Sequence, residues 1–233
     1  MIKLIAFDYN GTLLSDTAIV LKAENIALTS VGLKPITLKH FQETFQIPII
    51  KYWENLNIPE SFVKKHFQTI EDTFHLNYEK LVNTSRTRAG SKEVLTWLNT
   101  NQIQAVIYSN HPTYRIKEQL VRLKMLEKFN AILGRETTDD FTHMLERGKE
   151  KKLAEYIKKH KFKPHEVISI GDTEEEIEVG KKFGFYTVGI TGGYNSAKRL
   201  KKHQPNFLIH NMLELKNIIK RISAKGGSAF GEK

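Results

Sequence analysis

Two spacings of apolar residues alternate along this chain. Short continuous apolar runs are typical of buried strands, whereas apolar residues that recur every three or four positions are typical of helices that bury one face. The continuous runs predict strands at 2–8, 104–108, 131–134, 166–170, 185–190 and 207–209. The helical spacing predicts helices at 91–99, 113–126, 150–160, 174–183 and 212–222. Strands that alternate with helices predict an α/β fold built on a parallel, doubly wound sheet.

The pattern differs between residues 16 and 83, where no continuous apolar run predicts a strand. Proline and asparagine breaks divide this block into predicted helices at about 16–31, 37–45, 48–56, 59–68 and 69–82. We therefore predict a helical cap domain at 16–83, inserted into a core domain of residues 1–15 and 84–222. Residues 223–233 are expected to be a flexible tail, because they combine three glycines with no apolar periodicity. Aromatic side chains are expected to form the cap's own core: Phe41, Phe45, Trp53, Phe62, Phe67 and Phe74.

The composition limits the classes of protein to consider. The chain has 233 residues and is 40% apolar, which suffices for one domain with a modest insertion. No run of about 18 apolar residues predicts a membrane span, and the strand that follows Lys3 leaves no room for a signal peptide. The absence of cysteine excludes disulfides and thiolate metal sites. We expect a cytoplasmic protein without a membrane partner, either a monomer or a homodimer.

The chain is strongly basic, with a formal net charge of +10. Such a charge is compatible with a nucleic-acid partner, with an anionic metabolite, or with solvated helix faces. Lysine pairs such as Lys64-Lys65 and Lys181-Lys182 lie in helical segments, and no nucleic-acid recognition motif accompanies them. We therefore expect no nucleic-acid partner, and we expect the charge to steer anionic substrates toward the protein.

Polar residues follow three of the predicted strands at their carboxyl ends. Asp8-Tyr9-Asn10-Gly11-Thr12 follows the first strand, Ser109-Asn110 the second, and Gly171-Asp172 the fourth. Parallel strands bring their carboxyl ends to one edge of the sheet, where α/β folds bind ligands, so these groups are expected to meet. Gly11 would let the backbone pass close to a ligand, and Thr12 would offer a hydroxyl. Each group taken alone is also typical of a turn or a helix cap.

The first of these groups resembles the Asp-x-Asp-Gly-Thr motif of the haloacid dehalogenase (HAD) superfamily, except that Asn10 replaces the second aspartate. The resemblance covers the chain to about residue 222. Gly180-Lys181-Lys182-Phe183-Gly184 and Thr191-Gly192-Gly193-Tyr194 are similar to phosphoglycolate-phosphatase relatives. The resemblance implies a HAD-type, Rossmann-like core with a helical cap. It also implies a Mg²⁺-dependent phosphatase that forms an aspartyl-phosphate on Asp8 and acts on a small phosphorylated metabolite.

The resemblance assigns roles to the other polar residues. Asp172 would bind Mg²⁺ together with Asp8 and the backbone carbonyl of Asn10, as the hard oxygen ligands that this ion prefers. The Ser109 hydroxyl and the amide that follows it would hold a phosphoryl oxygen. The residues expected to bind substrate are Gly11, Thr12 and Asn110.

A lysine that pairs with the nucleophile completes the family's site, about two dozen residues before the acidic motif in phosphatases of this kind. Lys149 lies 23 residues before Asp172 and opens a predicted helix. Lys151 and Lys152 are neighbouring alternatives, because spacing alone discriminates poorly between them. A solvated lysine at a helix start is the structural alternative for each.

Three glutamates, Glu174, Glu175 and Glu176, follow Asp172 in the first turn of a predicted helix. Glu176 stands where relatives often have a second aspartate, and its longer side chain would reach a metal through water or not at all. We assign Glu174 and Glu175 to the helix start, where negative charge is favourable.

The amide of Asn10 lacks the acid–base function that the family's second aspartate performs on the leaving group. Losing a general acid–base group commonly costs roughly 10²–10⁴-fold in rate. Three outcomes stay open: a phosphatase for good leaving groups, one that takes an acid from the cap, or a weakly active phospho-ligand binder. A relative that cleaves C–X bonds is a further alternative. His40, Glu43 and Tyr52 are the cap candidates, and His111 is a candidate substrate contact.

Overall fold

The structure is a computed structural model that describes residues 1–136, 141–145 and 148–224. The predicted flexible tail lies outside the described residues except for its start. Ser223 and Ala224 belong to the last turn of a helix, so the prediction that the tail begins at residue 223 is wrong. The terminal helix begins and ends two residues later than predicted, and Ile218, Ile219 and Ile222 on its apolar face pack into the core.

The strands form one large sheet and one small ribbon. In chain order the strands are β1 Leu4–Phe7, β2 Leu14–Ser15, β3 Arg86–Thr87, β4 Gln104–Pro112, β5 Ala131–Arg135, β6 Val167–Gly171, β7 Tyr186–Ile190 and β8 Phe207–Ile209. The large sheet has six strands in the order β5-β4-β1-β6-β7-β8, and all of its pairs are parallel. The predicted parallel α/β sheet is thereby confirmed.

Helices connect these strands and build the inserted block. They are α1 Thr17–Ser30, α2 Leu38–Thr44, α3 Ile49–Asn55, α4 Glu60–Val82, α5 Ser91–Thr100, α6 Thr113–Arg122, α7 Lys149–His160, α8 Glu174–Phe183, α9 Ala197–Lys202 and α10 Glu214–Ala224. Two predicted helices at 59–68 and 69–82 are in fact the single 23-residue helix α4. Residues 60–82 contain neither proline nor glycine, so nothing interrupts the helical hydrogen bonds.

The central strand β1 divides the core into two layers, because successive side chains of a strand point to opposite faces. Ile5 and Phe7 belong to an apolar cluster that includes residues of α5 and α10. Leu4 and Ala6 belong to a second cluster with residues of α7 and α8. Both faces of the sheet are therefore covered, and the polar residues that carry chemistry are confined to its carboxyl edge.

Strand β4 continues past the predicted end at Tyr108 as far as Pro112. Its register with β5 shifts on the way, since Tyr108 pairs with Leu133 and Pro112 with Arg135. Four positions of β4 thus span two positions of β5, as in a β-bulge. The irregular stretch carries Ser109, and bulges of this kind redirect side chains at the end of a strand.

The chain passes between core and cap through the antiparallel ribbon of β2 and β3, in which Leu14 pairs with Thr87. Helices α1–α4 lie between these two strands, where the cap boundaries were predicted, and the two-domain division stays a prediction.

The aromatic residues predicted to form the cap's own core also contact residues outside the cap. The rings of Phe41 and Phe45 lie 5.6 and 5.0 Å from that of Tyr194 in the core. The Arg199 guanidinium also donates a 2.6 Å hydrogen bond to the Phe45 carbonyl.

None of the helices within the described ranges combines the length and the apolar character that crossing a membrane requires.

Candidate active site

Asp8 follows β1 directly, and its backbone amide donates to the Ile170 carbonyl of β6 at 2.9 Å. This bond fixes Asp8 at the carboxyl edge of the sheet, beside the strand that leads to Asp172. Lys149 reaches the same place from the first residue of α7, and its Nζ donates to Asp8 Oδ1 at 3.0 Å. Both side chains are buried, so their interaction is screened much less than that of a surface pair.

The structure brings Lys149, and neither neighbouring lysine, to Asp8. Lys151 is exposed. The Lys152 ammonium donates to the Gly134 carbonyl at 2.7 Å, at the end of β5. Burial alone would lower the pKa of Lys149, but the negative charges of the carboxylates around it prevail and hold that pKa well above its usual value.

Two glutamates of α8 complete the surroundings of Lys149. Glu175 Oε2 lies 3.0 Å from its Nζ, and Glu176 Oε1 is also in contact with it. The other oxygen of Glu176 accepts from the backbone amide of Thr173 at 3.1 Å and from its hydroxyl at 2.7 Å. Glu176 therefore joins the helix start to Lys149. The assignment of Glu175 to the helix start alone misses its ion pair with Lys149, whereas Glu174 pairs with Arg199 at 2.7 Å.

Asp172 is fully buried and held from two sides. The Thr12 hydroxyl donates to its Oδ1 at 2.7 Å, and the Tyr194 amide donates to its Oδ2 at 2.6 Å. A Cβ on Gly11 would lie 2.2 Å from Asp172 Oδ2, and Gly11 also has φ +72°, so only glycine fits. The structure thus brings Gly11 and Thr12 to Asp172, and their role in substrate binding stays a prediction.

The side-chain amide nitrogen of Asn10 donates hydrogen bonds to two residues of the predicted cap. Its Nδ2 donates to Asp16 Oδ2 at 2.7 Å and to the Tyr78 hydroxyl at 2.8 Å. Asp16 also accepts from the Gly11 amide at 2.8 Å and from the hydroxyls of Tyr78 and Tyr194, at 2.8 and 3.1 Å. Burial raises the pKa of Asp16, and these hydrogen bonds oppose the rise. Sequence reasoning missed Asp16, because an aspartate before a helix looks like an ordinary cap.

Ser109 and Asn110 lie on the irregular end of β4. Ser109 is buried, and its Oγ accepts from the His111 amide at 3.1 Å. The Asn110 Nδ2 donates to Glu175 Oε2 at 3.0 Å, which links this strand to the Lys149 cluster. The hydroxyl of Ser109 can still donate to a ligand oxygen, since a hydroxyl has one donor and two acceptor sites.

A cavity of about 850 Å³ lies between the sheet edge and the cap. Its core wall includes Asp8, Asn10, Ser109, Asn110, His111, Lys149 and Glu175. Its cap wall includes Glu24, Phe41, Phe45, Tyr52, Trp53, Glu71, Phe74 and Tyr78. Of the three cap acids considered from the sequence, only Tyr52 borders the cavity, whereas His40 and Glu43 are exposed.

The donor chemistry at the sheet edge fits Mg²⁺. Burial raises the pKa of Asp8 well above its usual value, with Lys149 opposing the rise and the charges of Glu176 and Asp172 adding to it. Burial likewise raises the pKa of Asp172 to about 6, helped by Glu176. A bound cation would relieve this repulsion. The described ranges contain no group of three or more His, Cys, Asp or Glu side chains placed to hold a metal. Mg²⁺ does not need one, because it binds through one or two carboxylates and keeps several waters.

Comparison with known proteins agrees with this arrangement. A family profile described as haloacid dehalogenase-like hydrolase matches residues 5–190, which include the sheet edge from Asp8 to Asp172. The chain belongs to this family.

Similar curated proteins and solved structures extend over nearly the whole chain. A phosphoglycolate phosphatase from Haemophilus influenzae is 23% identical, with 93% of this chain and 98% of that protein covered. One from Vibrio vulnificus is 24% identical, with 94% and 96% covered. A HAD-like family hydrolase from Streptococcus pneumoniae has a TM-score of 0.77 at 17% identity, with 94% of this chain and 98% of that chain covered. A HAD-like protein of unknown function from Agrobacterium tumefaciens has a TM-score of 0.72 at 19% identity, with 96% and 100% covered.

Proposed function

We propose that this HAD-like hydrolase is a Mg²⁺-dependent phosphatase of a small phosphorylated metabolite, and that Asp8 is its nucleophile. The observation that carries the proposal is the 3.0 Å contact between Lys149 Nζ and Asp8 Oδ1 at the floor of a cavity. The names of the curated relatives, which are phosphoglycolate phosphatases, support the phosphatase class.

In this proposal Asp8 attacks phosphorus, the bond between phosphorus and the alcohol oxygen breaks, and the alcohol leaves as its anion, which takes a proton from water. A second water then hydrolyses the aspartyl-phosphate and releases inorganic phosphate. Lys149 favours the ionised form of Asp8 and offsets the charge of the phosphoryl group. The Ser109 hydroxyl and the backbone amide of Asn110 hold phosphoryl oxygens. The carboxylates of Asp8 and Asp172 and the Asn10 carbonyl would hold Mg²⁺, which when bound stabilises charge on the phosphoryl oxygens.

The Asn10 side chain gives this phosphatase no acid for the departing alcohol. Its amide nitrogen donates to Asp16 and to Tyr78, so it is committed to the cap and not directed to a leaving group. We therefore propose that esters of aliphatic alcohols are hydrolysed more slowly than esters whose alcohol leaves without protonation.

On composition alone we also propose a cytoplasmic protein, acting as a monomer or homodimer, with neither nucleic acid nor membrane as a partner.

Phosphate release from p-nitrophenyl phosphate and from a panel of phosphorylated metabolites tests the main proposal. We expect release that requires Mg²⁺, is lost in Asp8→Asn, and leaves a phosphoryl adduct on Asp8 after rapid acid quenching. Equal release by wild type and Asp8→Asn would assign the activity to something other than this site.

The second candidate function is binding of a phosphorylated ligand with little turnover. It is favoured because the Asn10 amide cannot exchange a proton with the substrate and donates its hydrogen bonds to Asp16 and Tyr78. In that case, calorimetry would detect binding of phosphorylated compounds while single-turnover assays detect no phosphate.

A further inference from the structure

The two walls of the cavity differ in charge. Among the described residues, its lysine and arginine side chains all come from the core: Arg135, Lys149 and Lys152. The ionisable groups that the cap contributes include two buried carboxyls, Glu24 on α1 and Glu71 on α4. The phosphoryl end of a substrate would lie at the core wall, so its alcohol part meets the cap.

Of the two buried carboxyls of the cap wall, Glu24 forms no ion pair within the part of the chain that the structure describes. Glu71 lies 3.1 Å from His75 on the same helix. Glu24 is 8% exposed, and its Oε1 has no hydrogen-bond partner within the described ranges. Burial raises the pKa of Glu24 to about 7, with the charge of Glu71 adding to the rise and the nearby Tyr52 hydroxyl opposing it. A cationic ligand would stabilise the ionised form.

Aromatic rings surround the same wall. Tyr52 and Trp53 have ring centres 6.0 Å apart, and those of Phe45 and Tyr52 are 5.6 Å apart. The Trp53 indole Nε1 is buried and has no hydrogen-bond partner among the described residues, and the Tyr52 hydroxyl lies beside Glu24. Aromatic faces beside a carboxylate attract an ammonium group, by cation–π attraction as well as by charge.

We propose that the alcohol part of the substrate carries an ammonium group, which binds to Glu24 beside the aromatic ring of Tyr52. This inference rests on the proposed phosphatase function and names its substrate class: phosphomonoesters of amino alcohols or amino sugars. A carboxylate at the same place would face two buried carboxyls. The inference therefore sets this chain apart from its relatives, whose names give phosphoglycolate as their substrate.

Three esters of similar size test the charge preference directly: 2-aminoethyl phosphate, 2-hydroxyethyl phosphate and 2-phosphoglycolate. For wild type we expect kcat/KM to be at least about tenfold higher for the ammonium ester than for the hydroxyl ester, and lowest for the carboxylate ester. A carboxylate ester that is hydrolysed as well as the ammonium ester would overturn the inference. Glucosamine 6-phosphate and glucose 6-phosphate repeat the comparison for a larger alcohol.

Glu24→Gln keeps the shape of the side chain and removes its charge. We expect the ratio between the ammonium and hydroxyl esters to fall to about one in this variant, because the ammonium group loses its counterion. Glu60→Gln, an exposed position on α4, is the matched control and should keep the wild-type ratio. An unchanged ratio in Glu24→Gln contradicts the inference, and the wild-type order decides alone if this variant does not fold.

Calorimetric titration of the same three esters separates this inference from the proposed function. If no ester is hydrolysed, the phosphatase proposal fails. The order of the dissociation constants then still decides whether the cap wall selects an ammonium group, with tightest binding of 2-aminoethyl phosphate supporting the inference and any other order opposing it.

Discussion

Lys149 Nζ donates a 3.0 Å hydrogen bond to Asp8 Oδ1 across 141 positions of the chain. The two residues meet because Asp8 follows the central strand β1 while Lys149 opens a helix that packs on the same sheet. Since both groups are buried, the ammonium offsets the negative charge of Asp8 and of the neighbouring Glu175 and Glu176. Its removal should affect chemistry far more than removal of the lysine two positions later.

Lys149→Met should lower kcat/KM for p-nitrophenyl phosphate by roughly 10²–10³-fold, the cost of losing one charge-stabilising group from an active site. Lys151→Met, at an exposed position of the same helix, should stay within about threefold of wild type, since surface charges interact weakly. Far-UV circular dichroism of both variants checks their folding. Equal losses in the two variants would show that the Lys149 contact is not used in catalysis.

The secondary-structure elements whose bounds were predicted correctly are those that short segments of the sequence determine. Strand β8 and helix α8 have the predicted bounds, because an apolar run and a capped amphipathic turn are properties of short segments. Asp8 and Lys149 are in contact at the sheet edge and border the same cavity as Ser109, as the carboxyl ends of parallel strands predict. The catalytic roles of these residues and of Asp172 stay predictions.

The rest depends on contacts between distant segments. Asp16 accepts from Tyr78, 62 positions away, and Tyr194, 178 positions away, and no local pattern marks it. The sequence around Glu175 predicts only a favourable charge at a helix start. Its ion pair with Lys149 depends on the position of α7, which the local sequence does not show. The continuation of β4 past Tyr108 depends on its pairing with Arg135 of β5, whereas the sequence shows three polar residues and a proline there.

Asn10→Asp introduces the aspartate that the family's motif has at this position, but we expect this single substitution to destabilise the protein. The new carboxylate would face Asp16 where a 2.7 Å hydrogen bond now joins them, and two buried carboxyls at that distance repel. We expect a loss of about 1–3 kcal/mol in the free energy of unfolding, measured by urea denaturation at pH 7.5.

The double variant Asn10→Asp with Asp16→Asn exchanges donor and acceptor and should recover most of that stability. The asparagine can donate to the new aspartate and still accept from the Gly11 amide. A coupling energy near zero in the double-mutant cycle would refute the proposed pairing. If the exchanged carboxyl also protonates the alcohol, alkyl phosphates should gain more in kcat than p-nitrophenyl phosphate, whose alcohol leaves without help.

Mg²⁺ should stabilise the protein even without substrate, because it would relieve the repulsion between Asp8 and Asp172. At a free concentration 100 times the dissociation constant the gain is about 2.7 kcal/mol, seen as a rise in Tm that EDTA reverses. Asp172→Asn should abolish the rise, and Thr12, whose hydroxyl now donates to Asp172, can accept from the new amide. Glu60→Gln should keep it. A Tm shift that persists in Asp172→Asn would place the ion elsewhere.

Glu24 should make stability fall as pH rises toward neutrality. Its pKa is about 7 in the folded protein against an ordinary value of 4.5, so between these values the folded state holds a proton that the unfolded state has lost. Fewer bound protons in the unfolded state mean that the free energy of unfolding decreases with pH across this window and levels off above it. The penalty amounts to about 3 kcal/mol. Glu24→Gln removes it, so the stability of this variant relative to wild type should increase between pH 4.5 and 7.5 in urea titrations. A constant difference across that range would mean that Glu24 is not buried as described.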